Sequence, residues 1–319
     1  MKTAIIGLGN MGKVHAELVV EQGNELVAVC DTACELLANY PTAKGFTDYI
    51  EMLDNVKPDV VHICTPHYLH AQMIIDALER NINVLCEKPL CIKEEDIGRI
   101  LEAEKKSTGI LAVCHQNRYN ASNLYAKDYL KDKTIISATA NVVWSRGEDY
   151  YASGAWRGKW ATEGGGVLIN QALHTLDLVQ WLVGMPETAV GTISNNTHRN
   201  CIEVEDTAAL IYKGKTDISF FATTSAGTDF PVEITVSTDT GIVNIFPDYV
   251  IVNGETKTFD KDDRIYGKAC YGSGHGRLIA DFYDHIKHGD KFQTCGEEAA
   301  KVVRLILAAY KSKGKEVKV

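Results

Sequence analysis

The chain has 319 residues, of which 45% are hydrophobic and 24% charged, an ordinary balance for a folded globular protein and enough length for two domains with separate cores. A formal net charge of -9 speaks against nucleic acid or an anionic membrane as partner, since both call for a basic face, and leaves a small molecule as the expected ligand. The nine cysteines form no CxxC pair and read as reduced thiols in the cytoplasm, no metal is expected, and the opening apolar stretch is too short to cross a membrane.

In chain order, the apolar run Thr3–Ile6 leads into Gly7-Leu8-Gly9-Asn10-Met11-Gly12, a helix-like stretch follows to about Gln22, and a second apolar run ends at Asp31. A GxGxxG alone is a weak signal, but strand before it, helix after it and an acid nineteen positions beyond Gly12 make a dinucleotide fingerprint. Gly7 permits the tight turn, Gly9 lets backbone approach the pyrophosphate, and Gly12 lets helix pack on strand. The helix's unpaired N–H groups, opening at Asn10 and Met11, then face the phosphates. Asp31 is placed to accept from a ribose diol. Because its carboxylate repels a 2′-phosphate and neither Thr32 nor Ala33 binds one, NAD is expected and NADP is less favoured.

Glu25–Cys30, Val60–Cys64, Asn83–Cys86 and Ile110–Cys114 read as further strands separated by helix-like stretches, the pattern of a parallel doubly wound sheet over residues 1–120. Ligands of such sheets lie at the carboxyl ends of the strands, which puts Asp31, Thr65 and Glu87 on one edge. Residues 121–319 read as α+β. A helix-like segment, about 122–131, precedes the alternating stretch Ile135–Trp144 and a glycine cluster. Strands are expected at Ala208–Tyr212, Ile218–Thr223, Val232–Ser237 and Ile242–Ile245, the last two joined as a hairpin by Thr238–Gly241. The fold class is therefore α/β, a Rossmann domain followed by an α+β domain with a large, open, mainly antiparallel sheet. Helix patterns at about 276–288 and 297–313 close the chain.

Three further motifs stand out: Thr65-Pro66-His67-Tyr68-Leu69-His70, Glu87-Lys88-Pro89, and Gly164 through Asp177 with Asn170 and His174 inside it. In this order, after the fingerprint, they resemble the Gfo/Idh/MocA family of oxidoreductases over essentially the whole chain. The resemblance implies an NAD-dependent dehydrogenase acting on a secondary alcohol of a sugar, sugar derivative or cyclitol, assembled as a homodimer or homotetramer through the second domain's sheet. It also implies cofactor contacts from Thr65, Pro66, His70, Glu87, Lys88, Gln116 and Asn117, and a cis bond between Lys88 and Pro89. Two other outcomes remain open within it: glycoside cleavage through transient oxidation and elimination, and a non-catalytic sugar or nucleotide sensor.

The residues themselves support catalytic roles. A lysine at a strand mouth beside a nicotinamide, fixed by a following proline, can hold a substrate hydroxyl and exchange its proton; this is the reading of Lys88. His174 follows Asn170 by four positions, so on one continuous helix the two would share a face. The family's usual aspartate stands here as Asn170, which cannot be a base but can bind a polyol, leaving acid–base work to Lys88 and His174. Asp177 either orients the imidazole or is a solvated acid. Arg118 either grips a substrate hydroxyl or carboxylate or pairs with a structural acid. Trp156 is either a platform for a sugar ring or packed in the interior. The stretch Tyr271–Gly276 reads as a loop outside the site.

Overall fold

The computed structural model describes residues 1–259 and 274–319, so residues 271–273 of the loop just mentioned lie outside the described residues. These form two compact units: residues 1–116 with 274–300, and residues 117–259 with 301–319. A single cut near residue 120 does not provide for the return of 274–300 to the first unit.

The first unit is built on a six-stranded sheet: β1 (Lys2–Ile6), β2 (Glu25–Cys30), β3 (Lys44–Phe46), β4 (Val60–Ile63), β5 (Asn83–Cys86) and β6 (Leu111–Val113), in the spatial order β3-β2-β1-β4-β5-β6 and parallel throughout. Strands covered on both faces lose their alternation, and β4 is buried at every position, the polar His62 included. Helices α1 (Asn10–Glu21), α2 (Cys34–Leu37), α3 (Tyr49–Val56), α4 (His70–Leu78) and α5 (Glu94–Lys106) connect the strands. Their ends follow local chemistry. Asp48 caps α3 by accepting from the N–H groups of Ile50 and Glu51, and α5 carries Glu94, Glu95 and Asp96 in its first turn and Lys105 and Lys106 in its last, each sign against the opposite dipole end.

The second unit opens with α6 (Ala121–Leu130), β7 (Ile135–Val143), α7 (Glu148–Ala152) and α8 (Leu173–Val183). It continues through β8 (Thr188–Ser194), β9 (Thr207–Lys213), β10 (Asp217–Thr223), β11 (Glu233–Thr238), β12 (Gly241–Ile245), β13 (Tyr249–Val252) and β14 (Glu255–Thr258). After α9 (Gly274–His288) in the first unit and α10 (Gly296–Ser312), the chain ends in β15 (Val317–Lys318). Nine strands make one sheet in the order β14-β13-β12-β11-β7-β10-β9-β8-β15, antiparallel except where β7 pairs with β10. The β11–β12 hairpin closes with Thr238 opposite Gly241. One sheet face is covered and the strands alternate: in β9, Ala208, Leu210 and Tyr212 are buried while Ala209, Ile211 and Lys213 are exposed. The open side carries Ile211, Phe221 and Ile242.

Candidate active site

At the carboxyl edge of the first sheet the glycines do three different jobs. Gly7 has φ +89°, and a Cβ there would lie 2.6 Å from the carbonyl oxygen of Cys64. A Cβ on Gly12 would lie 1.9 Å from the carbonyl oxygen of Gly7, so only glycine lets α1 pack this close to the turn. At Gly9 a Cβ would meet nothing within 4 Å, and no side chain caps the N-terminus of α1. That open backbone suits a pyrophosphate. Asp31, half-buried at the end of β2, accepts from the backbone N–H groups of Leu8 at 2.7 Å and Ala33 at 2.9 Å, tying the glycine turn to the place where a ribose would lie. Thr65 and Pro66 are half-buried on the same edge, and Asn10 is exposed.

Lys88 lies two residues past the end of β5, and its bond to Pro89 is cis. From Val84 to Ile92 every residue is buried except Lys88. Both neighbours are held by histidines. The Pro89 carbonyl lies 2.7 Å from His70 Nδ1, whose Nε2 lies 2.8 Å from the Thr65 carbonyl. Glu87 turns its carboxylate inward: Oε1 is 3.0 Å from His15 Nε2 and 3.7 Å from His275 Nε2, and Oε2 accepts from the Lys88 backbone N–H at 3.3 Å. Burial pushes the Glu87 carboxyl up, but hydrogen bonds from the two histidines outweigh it and hold the group well below the usual carboxylate range. Burial pushes the His70 imidazole down, against its bonds to the two carbonyls. The side chains of His70 and Glu87, expected at the cofactor, are thus turned into the protein, where their polar atoms find partners that burial makes obligatory. Gln116 is buried and Asn117 half-buried after β6.

In the second unit Gly164 through Ala172 do not form a helix, and α8 starts only at Leu173. The expected helix through both Asn170 and His174 is corrected here. Just before α8, the Glu205 carboxylate accepts from the N–H groups of Gly166 at 2.8 Å and Leu168 at 3.0 Å and its backbone oxygen from Val167, while the Ala172 N–H reaches back five residues to the Val167 carbonyl, wider than the four-residue helical step. Tyr310 donates to the same carboxylate at 2.9 Å, and burial pushes the Glu205 carboxyl up to about 7. A Cβ on Gly166 would lie 1.8 Å from the Glu205 carbonyl oxygen, which accounts for that member of the glycine cluster.

Asn170 donates through Nδ2 to Glu163 Oε1 at 2.5 Å and to the Tyr150 hydroxyl at 3.1 Å. The same hydroxyl receives Gln171 Nε2 at 3.0 Å and Arg157 at 2.7 Å. From Glu163 to Gln180 every residue is buried except His174. Of the alternatives for Arg118 the structure shows the structural acid: Arg118 and Asp177 form a buried two-pronged ion pair of 2.7 and 2.5 Å, so Asp177 is not a solvated acid. Trp156 is half-buried with the Arg157 guanidinium 4.5 Å from its ring centroid.

Tyr150, Glu163, Arg157, Glu205 and His15 were not legible as site residues in the sequence. None lies in a spacing that signals chemistry; only the fold brings Glu205 to the glycines.

His15, Glu87 and Cys114 bring one ligand atom each to within 4.8 Å of one another, a spacing a metal could use. His15 and Glu87 already satisfy each other directly, and the cluster is read as a hydrogen-bond network.

A parallel six-stranded sheet with this glycine turn, joined to a second unit on a large mixed sheet, defines a two-unit dinucleotide-binding class. The family profile described as an oxidoreductase family with an NAD-binding Rossmann fold matches residues 1–115, and that family's C-terminal domain profile matches residues 134–244. The chain belongs to the Gfo/Idh/MocA family. It is 31% identical over 195 residues to D-glucoside 3-dehydrogenase of Escherichia coli (strain K12), covering 58% of this chain and 55% of that one. It is 30% identical over 209 residues to 2,7-anhydro-N-acetylneuraminate hydratase of Mediterraneibacter gnavus, covering 62% and 54%. The chain thus spans about half the length of these curated relatives. Among solved structures it is similar to the WlbA dehydrogenase from Bordetella pertussis in complex with NADH and UDP-GlcNAcA, with a TM-score of 0.87 at 26% identity, covering 100% of this chain and 98% of that one.

Proposed function

We propose that the protein is an NAD(H)-dependent dehydrogenase of a secondary alcohol in a sugar, sugar derivative or cyclitol. One observation carries the reading: Lys88 and His174 are each the single accessible residue in an otherwise buried run. In these two stretches the lysine and the histidine are the residues that a ligand can reach.

The glycine turn with Gly7, Gly9 and Gly12, the N-terminus of α1 at Asn10 and Met11, Asp31, Thr65, Pro66 and Asn117 would hold the dinucleotide. Bound NAD supplies the hydride acceptor. Lys88 Nζ takes the alcohol proton as the carbon is oxidised and returns it in the reverse direction. His174 hydrogen-bonds the substrate and can relay that proton. Asn170, anchored to Glu163 and Tyr150, would bind a neighbouring hydroxyl.

The test is a spectrophotometric screen of the purified protein with NAD, and separately NADP, against hexoses, cyclitols, amino sugars and aryl glycosides, with Lys88→Ala as control. NADH formation that the variant loses supports the reading; a preference for NADP of about tenfold or more sinks the role given to Asp31. A second reading, glycoside cleavage by transient oxidation and elimination, draws on the relative named as a hydratase. Aglycone release without NADH would favour it.

We further infer a homo-oligomer through the second unit's sheet, because Ile211, Phe221 and Ile242 stand exposed on it. Light scattering on the purified protein reads this directly. Among the described residues no helix is long and apolar enough to cross a membrane.

A further inference from the structure

A row of polar side chains runs through the core of the first unit. Thr3 Oγ1 lies 2.8 Å from the Tyr283 hydroxyl, which lies 3.2 Å from His62 Nε2. His62 Nδ1 lies 3.0 Å from His15 Nδ1, and His15 Nε2 lies 3.0 Å from Glu87 Oε1. All five residues are buried, in a sheet core where apolar side chains would pack as well and leave no polar atom to satisfy.

Glu87 is ionised and only accepts, so His15 Nε2 is the donor to it. Burial holds His62 neutral. His62 then carries one ring proton, and across the 3.0 Å between its Nδ1 and that of His15 one ring donates to the other. The row ends beside Lys88, whose backbone N–H is bound by Glu87 Oε2, while on the far side of Lys88 the Pro89 carbonyl lies 2.7 Å from His70 Nδ1.

We propose that Glu87 and His15 are positioning residues for Lys88: the buried row fixes the Glu87 carboxylate, and Glu87 together with His70 clamps the backbone on both sides of the lysine. The inference rests on the reading of Lys88 as the proton-transfer group. Neither Glu87 nor His15 touches substrate in this account. A lysine has four rotatable side-chain bonds, and holding its Cα at both flanks is what keeps the amine where a substrate hydroxyl meets it.

The test compares the full-length protein with Glu87→Gln, which keeps the volume but replaces the acceptor facing the Lys88 N–H with a donor, and with His15→Phe and His15→Gln. Turnover is measured on the best substrate of the screen, and NADH affinity by fluorescence titration. In Glu87→Gln, kcat is expected to fall by about tenfold or more while the Kd for NADH stays within about threefold. His15→Phe should do the same, and His15→Gln, which can still donate to Glu87, should recover part of the loss. Should His15→Phe not fold, the near-isosteric Glu87→Gln decides alone. A folded Glu87→Gln with kcat within about twofold of wild type overturns the proposal, as does a parallel loss of NADH affinity, because damage to the whole unit would lower both. If Lys88→Ala is as active as wild type, or no sugar is turned over at all, the function reading fails first and the positioning role falls with it; if Lys88→Ala is dead and Glu87→Gln is not, only the positioning role is lost.

Discussion

Arg118 and Asp177 bind each other through two hydrogen bonds, Nε to Oδ2 at 2.7 Å and an Nη to Oδ1 at 2.5 Å, with both side chains 2% exposed. Gln180 adds a bond to the same carboxylate at 3.2 Å, and the Trp181 ring lies 5.4 Å from the guanidinium. The pair ties the segment after β6 to the second turn of α8, three residues beyond His174.

Removing one partner from such a pair leaves a buried charge without its counter-ion. Asp177→Ala is expected to lower stability by about 3–5 kcal/mol, and Arg118→Met combined with Asp177→Leu to recover most of that, since a well-packed apolar pair replaces the ions. Urea unfolding of the three variants checks this. A loss under about 1 kcal/mol for the single substitution would show that the carboxylate is solvated rather than structural.

Much of the first unit was legible because strands covered on both faces read as continuous apolar runs, and β1, β2 and β5 match those runs to within a residue. The short β3, with Lys44 and Gly45 among its three residues, carries no such signal. Local spacing misled at Asn170 and His174. The four-residue interval suggested one helix face, but the Ala172 N–H bonds the Val167 carbonyl five residues back and regular helix begins only at Leu173. Arg118 and Asp177 were each visible as isolated polar residues; their pairing across 59 positions was not, because nothing in a sequence ranks a distant acid above a ligand as partner of an arginine.

Asn170 occupies the position where the family pattern more often has aspartate, and its environment supplies the reason. Its Nδ2 donates to Glu163 Oε1 at 2.5 Å, and Glu163 is buried. An aspartate would set two carboxylates in contact, and one of them would have to take a proton. Asn170→Asp is therefore expected to lower kcat/KM by about tenfold or more, and a second change, Glu163→Gln, to restore part of it by returning a donor to the pair. Steady-state kinetics of the single and double variants decide the matter. An unchanged Asn170→Asp would mean that the two groups part easily in solution.

Gly12 offers a direct reading of the cofactor edge. Alanine there places a methyl group 1.9 Å from the Gly7 carbonyl oxygen, backbone against backbone, so α1 must shift away from the turn. Because the N-terminal N–H groups of that helix move with it, Gly12→Ala should weaken NADH binding by about tenfold or more. Gly9→Ala has no such clash within 4 Å, and its effect should come from the new methyl crowding the bound phosphate alone. Fluorescence titration separates the two, and Gly12→Ala should also show a lowered Tm where Gly9→Ala does not.

His62 makes stability depend on pH in a direction that can be worked out. Its folded pKa lies well below the ordinary 6.5, chiefly through burial, with His15 beside it acting the same way and Glu87 opposing. Below about pH 6.5 the unfolded chain takes up a proton there that the native protein refuses, so the native state loses ground as the solution is acidified, by at most about 1.4 kcal/mol per pH unit for one such group. His70, also lowered by burial, adds to the same trend. Glu87 has the opposite character: its folded pKa is depressed below 4.5, so its stabilisation is complete above that value and is lost only under more acidic conditions. Between about pH 7 and pH 5 the histidines lower the Tm, while Glu205, with its carboxyl raised to about 7, acts the other way by taking up its proton first in the native state. His62→Phe, which fills the same core position without a titrating ring, should flatten that fall although its stability at neutral pH is lower. A variant that keeps the full wild-type slope would show that His62 takes up its proton in the native protein as readily as in the unfolded chain, and its lowered pKa would be refuted.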